Sequence, residues 1–247
     1  MNPPLLELRG LTCRIGGQTV LDAIDLRVQR GEVVALIGPN GAGKSTLLQA
    51  ISGLCPLHTG SVWLDGRRID RLESAQIARA GVARSFQTPQ VYARLSVADH
   101  LRCALLAAQR GGWLRRWAGD DALEHRMTSW LQRLQLQADA GKPAEQLDDA
   151  SVRTLALGLA LVGDAPLLLL DEPTAGMHRA QAAQMATLIA QTAQQRTVLL
   201  VEHDLDTVFR LASRVVVLHH GRVLADGTPQ AVRADRRVQA VYLGMAP

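Results

Sequence analysis

Val33-Val34-Ala35-Leu36-Ile37-Gly38-Pro39-Asn40-Gly41-Ala42-Gly43-Lys44-Ser45 decides the fold. Its first five residues form a continuous apolar run, typical of a strand buried on both faces. The next eight satisfy G-x-x-x-x-G-K-[ST], and Leu47, Leu48 and Ile51 then give an apolar helical stripe that Gly53 can stop. Strand, glycine-rich loop and helix in that order make a phosphate-binding loop. The glycines let backbone N–H groups turn inward without side-chain clash, and the helix N-terminus adds partial positive charge. Gly38, Pro39, Asn40, Gly41, Ala42, Gly43, Lys44, Ser45 and Thr46 are therefore the expected cradle for the phosphates of a nucleotide. Lys44 would neutralise the β- and γ-phosphates, and the Ser45 hydroxyl would ligate Mg2+.

Two further strands end in groups suited to the same chemistry. Leu167-Leu168-Leu169-Leu170 runs into Asp171-Glu172, and Val198-Leu199-Leu200-Val201 runs into Glu202-His203. A strand period of two separates the neighbouring carboxylates, so Asp171 suits the outer shell of Mg2+ while Glu172 is placed to polarise a water. Ligands of open α/β sheets bind beyond the carboxyl ends of the strands, which brings His203 toward the same place, where it can donate to a γ-phosphate. His219-His220, ahead of Gly221, reads instead as a β-turn.

Around these motifs the chain alternates. Leu5 to Leu8 and Val20 to Val28 read as strands, and Val62-Trp63-Leu64 enters a hairpin at Asp65-Gly66. From Leu95 the period becomes helical. Ser96-Val97-Ala98-Asp99 matches a capping box, Leu101, Leu105 and Leu106 continue it, and Leu123, Met127, Trp130, Leu131 and Leu134 mark an amphipathic helix. After Pro166 strands and helices alternate again, with strands at 167–170, 197–201 and 215–218. The expected fold class is α/β, a P-loop NTPase with a mainly parallel core sheet, an N-terminal antiparallel β subdomain and an inserted α-helical subdomain. One domain of 1–247 is expected, with 1–89 and 161–247 as the core and 90–160 as the helical insertion.

Composition narrows the partners. The 247 residues are 47% hydrophobic and 20% charged, values of a folding globular chain. Aromatic residues are only 3%, too few for the stacking platforms that hold single-stranded nucleic acid, so no nucleic-acid partner is expected. Lys and Arg number 27 against 23 Asp and Glu, a net +4 that is spread out rather than gathered in a basic arm. Three cysteines without C-x-x-C spacing argue against a disulfide framework or a zinc site and fit a reducing compartment. The start of the chain lacks a secretory pattern, and Asp164 and Pro166 interrupt the most apolar stretch short of the roughly 20 residues that span a bilayer. A soluble or peripheral protein is expected.

Taken together, the motifs resemble the ATP-binding subunit of ABC transporters over nearly the whole chain. The phosphate loop 38–45, Gln87 in Ala83-Arg84-Ser85-Phe86-Gln87, Asp171-Glu172-Pro173-Thr174 and His203 match, in order, that family's Walker A, Q-loop, Walker B with catalytic glutamate, and switch histidine. The resemblance implies that Gln87 contacts Mg2+ or the water and couples the nucleotide site to the membrane subunit. It also implies a head-to-tail pair of ATPases, identical or different, that closes on two ATP molecules, moves permease subunits and is served indirectly by a solute-binding protein. Such a subunit sits at the cytoplasmic face of the inner membrane. The stretch Ile77 to Gln87 and the ending Gly221 to Pro229 with Tyr242-Leu243-Gly244 are similar to ATPases of branched-chain amino-acid and urea or amide importers. A catalytically weak regulatory subunit and a non-transport ABC protein are the other readings. The latter usually carries two cassettes or a long coiled coil, and this chain has neither.

The sequence departs from the pattern in three places. Where the family carries Leu-Ser-Gly-Gly-Gln, this chain has Leu147-Asp148-Asp149-Ala150-Ser151. A carboxylate about 4 Å from a phosphate oxygen is repelled by roughly 4 kcal/mol at an effective dielectric near 20, more than a neutral hydrogen bond returns. Poor hydrolysis at the site this segment completes is expected, and with it a mixed pair of ATPases; the aspartates could instead simply cap the next helix. Ile15 stands where the family places an aromatic ring over adenine, so weak base selectivity is expected. His178 occupies a position where an acidic residue is common, and could equally be a solvated helix start.

Overall fold

A computed structural model describes residues 3–108 and 120–243. These divide into two compact units. The first holds the residues up to Arg84, Ala165–Glu172 and everything from Ile189 on; the second holds Ser85–Asp164 and Pro173–Leu188.

The first unit contains two sheets. β1 (Leu6–Ile15), β2 (Gln18–Val28), β4 (Thr59–Leu64) and the short β5 (Arg67–Arg68) form an antiparallel sheet in the order β2-β1-β4-β5. The turn between β4 and β5 is Asp65-Gly66, with φ of 49° and 74°, the left-handed pair that a two-residue hairpin needs. The second sheet has six strands, β10-β9-β3-β8-β7-β6, formed by β3 (Val33–Ile37), β6 (Val82–Arg84), β7 (Leu167–Asp171), β8 (Thr197–Val201), β9 (Arg214–His219) and β10 (Arg222–Gly227). All neighbours are parallel except β10, which returns antiparallel through a turn at His220 and Gly221. His219 thus ends β9 and only His220 lies in the turn.

The apolar run of β3 has a simple explanation in this sheet. Val34 and Leu36 point into a core with Leu47, Leu48 and Ile51 of α1 (Lys44–Ile51), with Leu6 and Leu8 of β1 and with Leu167 and Leu169 of β7. Ala35 and Ile37 point the other way. There they meet Val208 of α7 (Leu205–Leu211), Val232 of α8 (Pro229–Ala234) and Val238 of α9 (Arg236–Leu243). A strand covered on both faces cannot alternate polar and apolar residues, and each fully buried Val, Leu or Ile contributes about 1.5–3 kcal/mol. α2 (Ser74–Ala80) completes this unit, opened by a box between Glu73 and Gln76.

The second unit is helical. α3 (Val97–Ala108) starts at Ser96, whose hydroxyl accepts the Asp99 amide at 3.1 Å and donates to the Asp99 carboxylate at 2.6 Å. Leu101 and Leu105 are buried, but Leu106 is exposed and lies off the packed face. α4 (Asp120–Leu134) buries Met127, Trp130, Leu131 and Leu134. α5 (Asp149–Leu161) follows two short 3-10 turns, and α6 (Arg179–Ala193) begins in this unit. Among the described residues no helix is long and apolar enough to cross a membrane.

Candidate functional site

Parallel register brings the chemistry together at one end of the six-stranded sheet. Val201, the last residue of β8, pairs with Leu36 on one side and Asp171 on the other, so β3, β8 and β7 finish within one residue of each other. Gly38, Asp171-Glu172 and Glu202-His203 leave those three strand ends as neighbours.

The loop from Gly38 to Ser45 has the backbone that its motif demands. Gly38 sits at φ 153°, and a Cβ there would collide with the Leu218 carbonyl of β9. Gly43 sits at φ 101° as the residue before α1, and a Cβ would come 2.7 Å from the Leu21 side chain and 3.0 Å from the Val20 carbonyl. Only glycine fits either place. Asn40 and Gly41 are exposed at the tip, Ala42 is buried beneath, Pro39 is half-buried, and Thr46 follows Ser45 in the first turn of α1. Lys44 is only 6% exposed; its ammonium donates to the carbonyls of Gly38 at 2.8 Å and Pro39 at 3.1 Å. Burial lowers its pKa, opposed by the carboxylates of Glu172 and Asp171.

Asp171 ends β7, 2% exposed. Its Oδ1 accepts the Ser45 hydroxyl at 3.0 Å and its Oδ2 accepts the Arg84 guanidinium at 3.2 Å. Burial raises its pKa, and the bonds from Ser45 and Arg84 oppose that rise. Glu172 leaves the strand with φ 49°, a left-handed conformation uncommon for a non-glycine residue, while its amide still donates to the Val201 carbonyl at 2.9 Å. That turn of the backbone, rather than strand alternation alone, parts Glu172 from Asp171. Glu172 Oε1 lies 2.7 Å from Nε2 of His203, and the His203 amide donates to the buried Glu202 carboxylate at 3.1 Å.

The remaining expected residues are placed differently. Ile15 is half exposed at the end of β1, beside the Gly16-Gly17 turn, so its side chain is open to solvent. Gln87 is exposed and belongs to the second unit. In that unit Asp148 precedes α5 and its Oδ1 accepts the Ser151 amide at 2.7 Å, a bond that holds its carboxyl below the ordinary value. Asp149 is the first residue of α5, where a negative charge meets the positive end of the helix dipole. His178 is exposed at the start of α6, and its amide donates to the Gln181 side chain at 3.3 Å.

Two participants lie in stretches quoted for the family likeness, but no sequence pattern assigned either a role at the site. Arg84 looks like an ordinary strand-end cation until pairing with β7 turns it onto Asp171. Tyr242 of α9 brings its hydroxyl to the Gly38 backbone; burial raises the phenol's pKa and the bond with Gly38 lowers it.

A glycine loop at a strand–helix junction, backed by a hydroxyl–carboxylate pair and a Glu–His pair on adjacent strand tips, defines a P-loop nucleotide-binding protein. The comparisons give the family. The pattern described as "ABC transporter" matches residues 21–175, and that described as "Branched-chain amino acid ATP-binding cassette transporter" matches residues 222–244. The chain belongs to the ABC transporter family as an ATP-binding subunit, an ATPase that energises transport. It is 34% identical, over the whole of both chains, to the high-affinity branched-chain amino acid transport ATP-binding protein LivG of Salmonella typhimurium, and equally to BraF of Pseudomonas aeruginosa. A solved structure of the ADP conformation of an ATP-binding cassette of an ABC transporter superposes with a TM-score of 0.83 at 26% identity, covering 98% of this chain and 100% of that one. Membership implies ATP as the nucleotide, membrane permease subunits as partners and cassettes that act in pairs.

Proposed function

We propose that this chain hydrolyses MgATP at the cytoplasmic face of the membrane to drive import of branched-chain amino acids. The observation that carries the catalytic part is the pairing of Ser45 with Asp171 at 3.0 Å beside the pairing of Glu172 with His203 at 2.7 Å. The solute assignment is supported by the full-length likeness to LivG and BraF and by the match at 222–244; urea or amides are the alternative solutes.

A fit for Mg2+ is supported by the donors present. Among the described residues no cluster of three His, Cys, Asp or Glu side chains could hold a metal alone. Mg2+ needs no such cage, because it keeps waters and binds substrate phosphates through one or two hard oxygen donors. Ser45 supplies a hydroxyl oxygen and Asp171 a carboxylate, with Gln87 proposed as a further contact; the ion would neutralise charge on the phosphates. The loop amides and Lys44 hold the triphosphate, which requires Lys44 to exchange its carbonyl partners for phosphate oxygens. Glu172 accepts a proton from the attacking water, and His203, linked to Glu172, donates to the γ-phosphate.

A second reading concerns the pair. Asp148 and Asp149 favour a mixed assembly, in which this chain contributes an intact phosphate loop and an altered helix start, with permeases and, indirectly, a solute-binding protein. In the regulatory version of that reading most turnover belongs to the other ATPase. Phosphate release and labelled leucine uptake, measured in vesicles with the chain alone or with a second ATPase beside the permease, test both. Uptake that ignores removal of this chain would refute the assignment.

A further inference from the structure

We propose that Arg84 is a positioning residue for the cation side of the site, locking the Asp171 carboxylate so that Oδ1 faces Ser45. This rests on the reading above that Ser45 and Asp171 serve the divalent ion.

The strand register starts the argument. Arg84 is the last residue of β6 and pairs with Leu169 of β7; Asp171 lies two residues further along that same face. The Arg84 side chain is 7% exposed and spans two acceptors. One terminal nitrogen donates to Asp171 Oδ2 at 3.2 Å, and the other donates to Ser52 Oγ at 2.9 Å. Ser52 caps the C-terminal end of α1, with its own hydroxyl shared between the carbonyls of Leu48 at 2.8 Å and Gln49 at 3.2 Å. The same helix therefore grips one carboxylate from both ends. Ser45 in its first turn holds Oδ1, and Ser52 past its last turn holds Oδ2 through Arg84. A planar fork with separated donors can make this bridge, whereas an ammonium is a single point that must choose one acceptor. With both oxygens committed, the carboxylate has one orientation.

Charge and positioning predict opposite signs. A buried cation beside the site repels Mg2+, so on charge alone its removal tightens divalent binding. If Arg84 acts by orientation, its removal weakens binding, as loss of outer-shell partners does at other metal sites by about 10–100-fold.

The test is a Mg2+ titration of fluorescent ATP-analogue binding to the full chain, repeated in EDTA, with thermal midpoints for each variant. Arg84→Met should raise the half-saturating Mg2+ concentration about tenfold, with EDTA affinity changed by less than about twofold. Arg84→Lys should fall between. Ser52→Ala, which removes the second Arg84 acceptor along with the hydroxyl bonds to Leu48 and Gln49, should shift the titration the same way by about two- to threefold with EDTA affinity unchanged, and it decides the matter together with Arg84→Lys if Arg84→Met does not fold. Tighter Mg2+ binding, an unchanged titration, or a parallel loss of affinity with and without Mg2+ alongside a lowered midpoint each overturns the inference while leaving the site reading intact. A wild-type chain whose nucleotide binding ignores Mg2+ overturns both.

Discussion

The phosphate loop and the start of α5 belong to the same family pattern but follow it to different degrees. At 38–45 every residue type demanded by the motif is present, and the backbone adopts conformations that only those residues permit, as at Gly38 and Gly43. At 147–151 the leucine remains, while two carboxylates stand where small phosphate donors belong. Even so, the local structure there is well formed. Asp148 caps α5 through the Ser151 amide, and Asp149 sits at the positive end of the helix. Helix capping and phosphate recognition use the same N-terminal amides, so a residue that satisfies the first can oppose the second. A helix start can thus be sound as structure whether or not it fits a phosphate.

The widest gap between the regions should open on mutation of Glu172. Glu172→Gln should lower phosphate release by about 100- to 10,000-fold, the range for a lost general base, while nucleotide binding is retained. A variant with full steady-state turnover would remove Glu172 from that role and leave the intact region without its chemical centre. The opposite manipulation restores the other region. Asp148→Ser with Asp149→Gly, in the assembled transporter, should raise ATP turnover about tenfold, the effect of roughly 1.4 kcal/mol on the barrier. Unchanged turnover would mean that the carboxylates do not limit the site they complete.

Stability separates the two roles of Asp148. Asp148→Ala should cost about 1 kcal/mol as a lost cap and lower the thermal midpoint by roughly 2–4 °C, whereas Asp148→Ser should nearly restore it. The Ser151 amide holds the folded Asp148 carboxyl below its ordinary value of 3.8, so this contribution is complete above that value and is lost as pH falls through the folded one. Midpoints of wild type and Asp148→Ala should therefore converge in acid; a gap that persists unchanged would remove the charge from the cap. The smallest effect concerns Ile15. With an exposed aliphatic side chain and no ring at this position, GTP should compete with ATP within about tenfold, and a far weaker GTP would show that another residue reads the base.

Local signals served best where one short stretch carries both structure and chemistry. The apolar run of β3, the glycines after it and the stripe of α1 are contiguous, so periodicity and residue type sufficed for a P-loop, an α/β class and a triphosphate ligand. The capping of α3 was legible for the same reason, as was the turn at Asp65-Gly66. Leu106 was misplaced because a helical stripe shows which residues share a face but not how wide the packed part of it is.

Sequence alone thus determined the loop, the acidic and histidine strand ends and the order in which they occur, because each is written within a few consecutive residues. Tertiary structure decided how they combine. The nearly level ends of β3, β8 and β7 set Glu172 against His203, the pairing of β6 with β7 turned Arg84 onto Asp171, and a left-handed backbone at Glu172 parted two adjacent carboxylates. The first two depend on strand register between residues 31 positions apart at Glu172 and His203 and 87 apart at Arg84 and Asp171, and no local pattern encodes register between segments that meet only when the sheet is assembled.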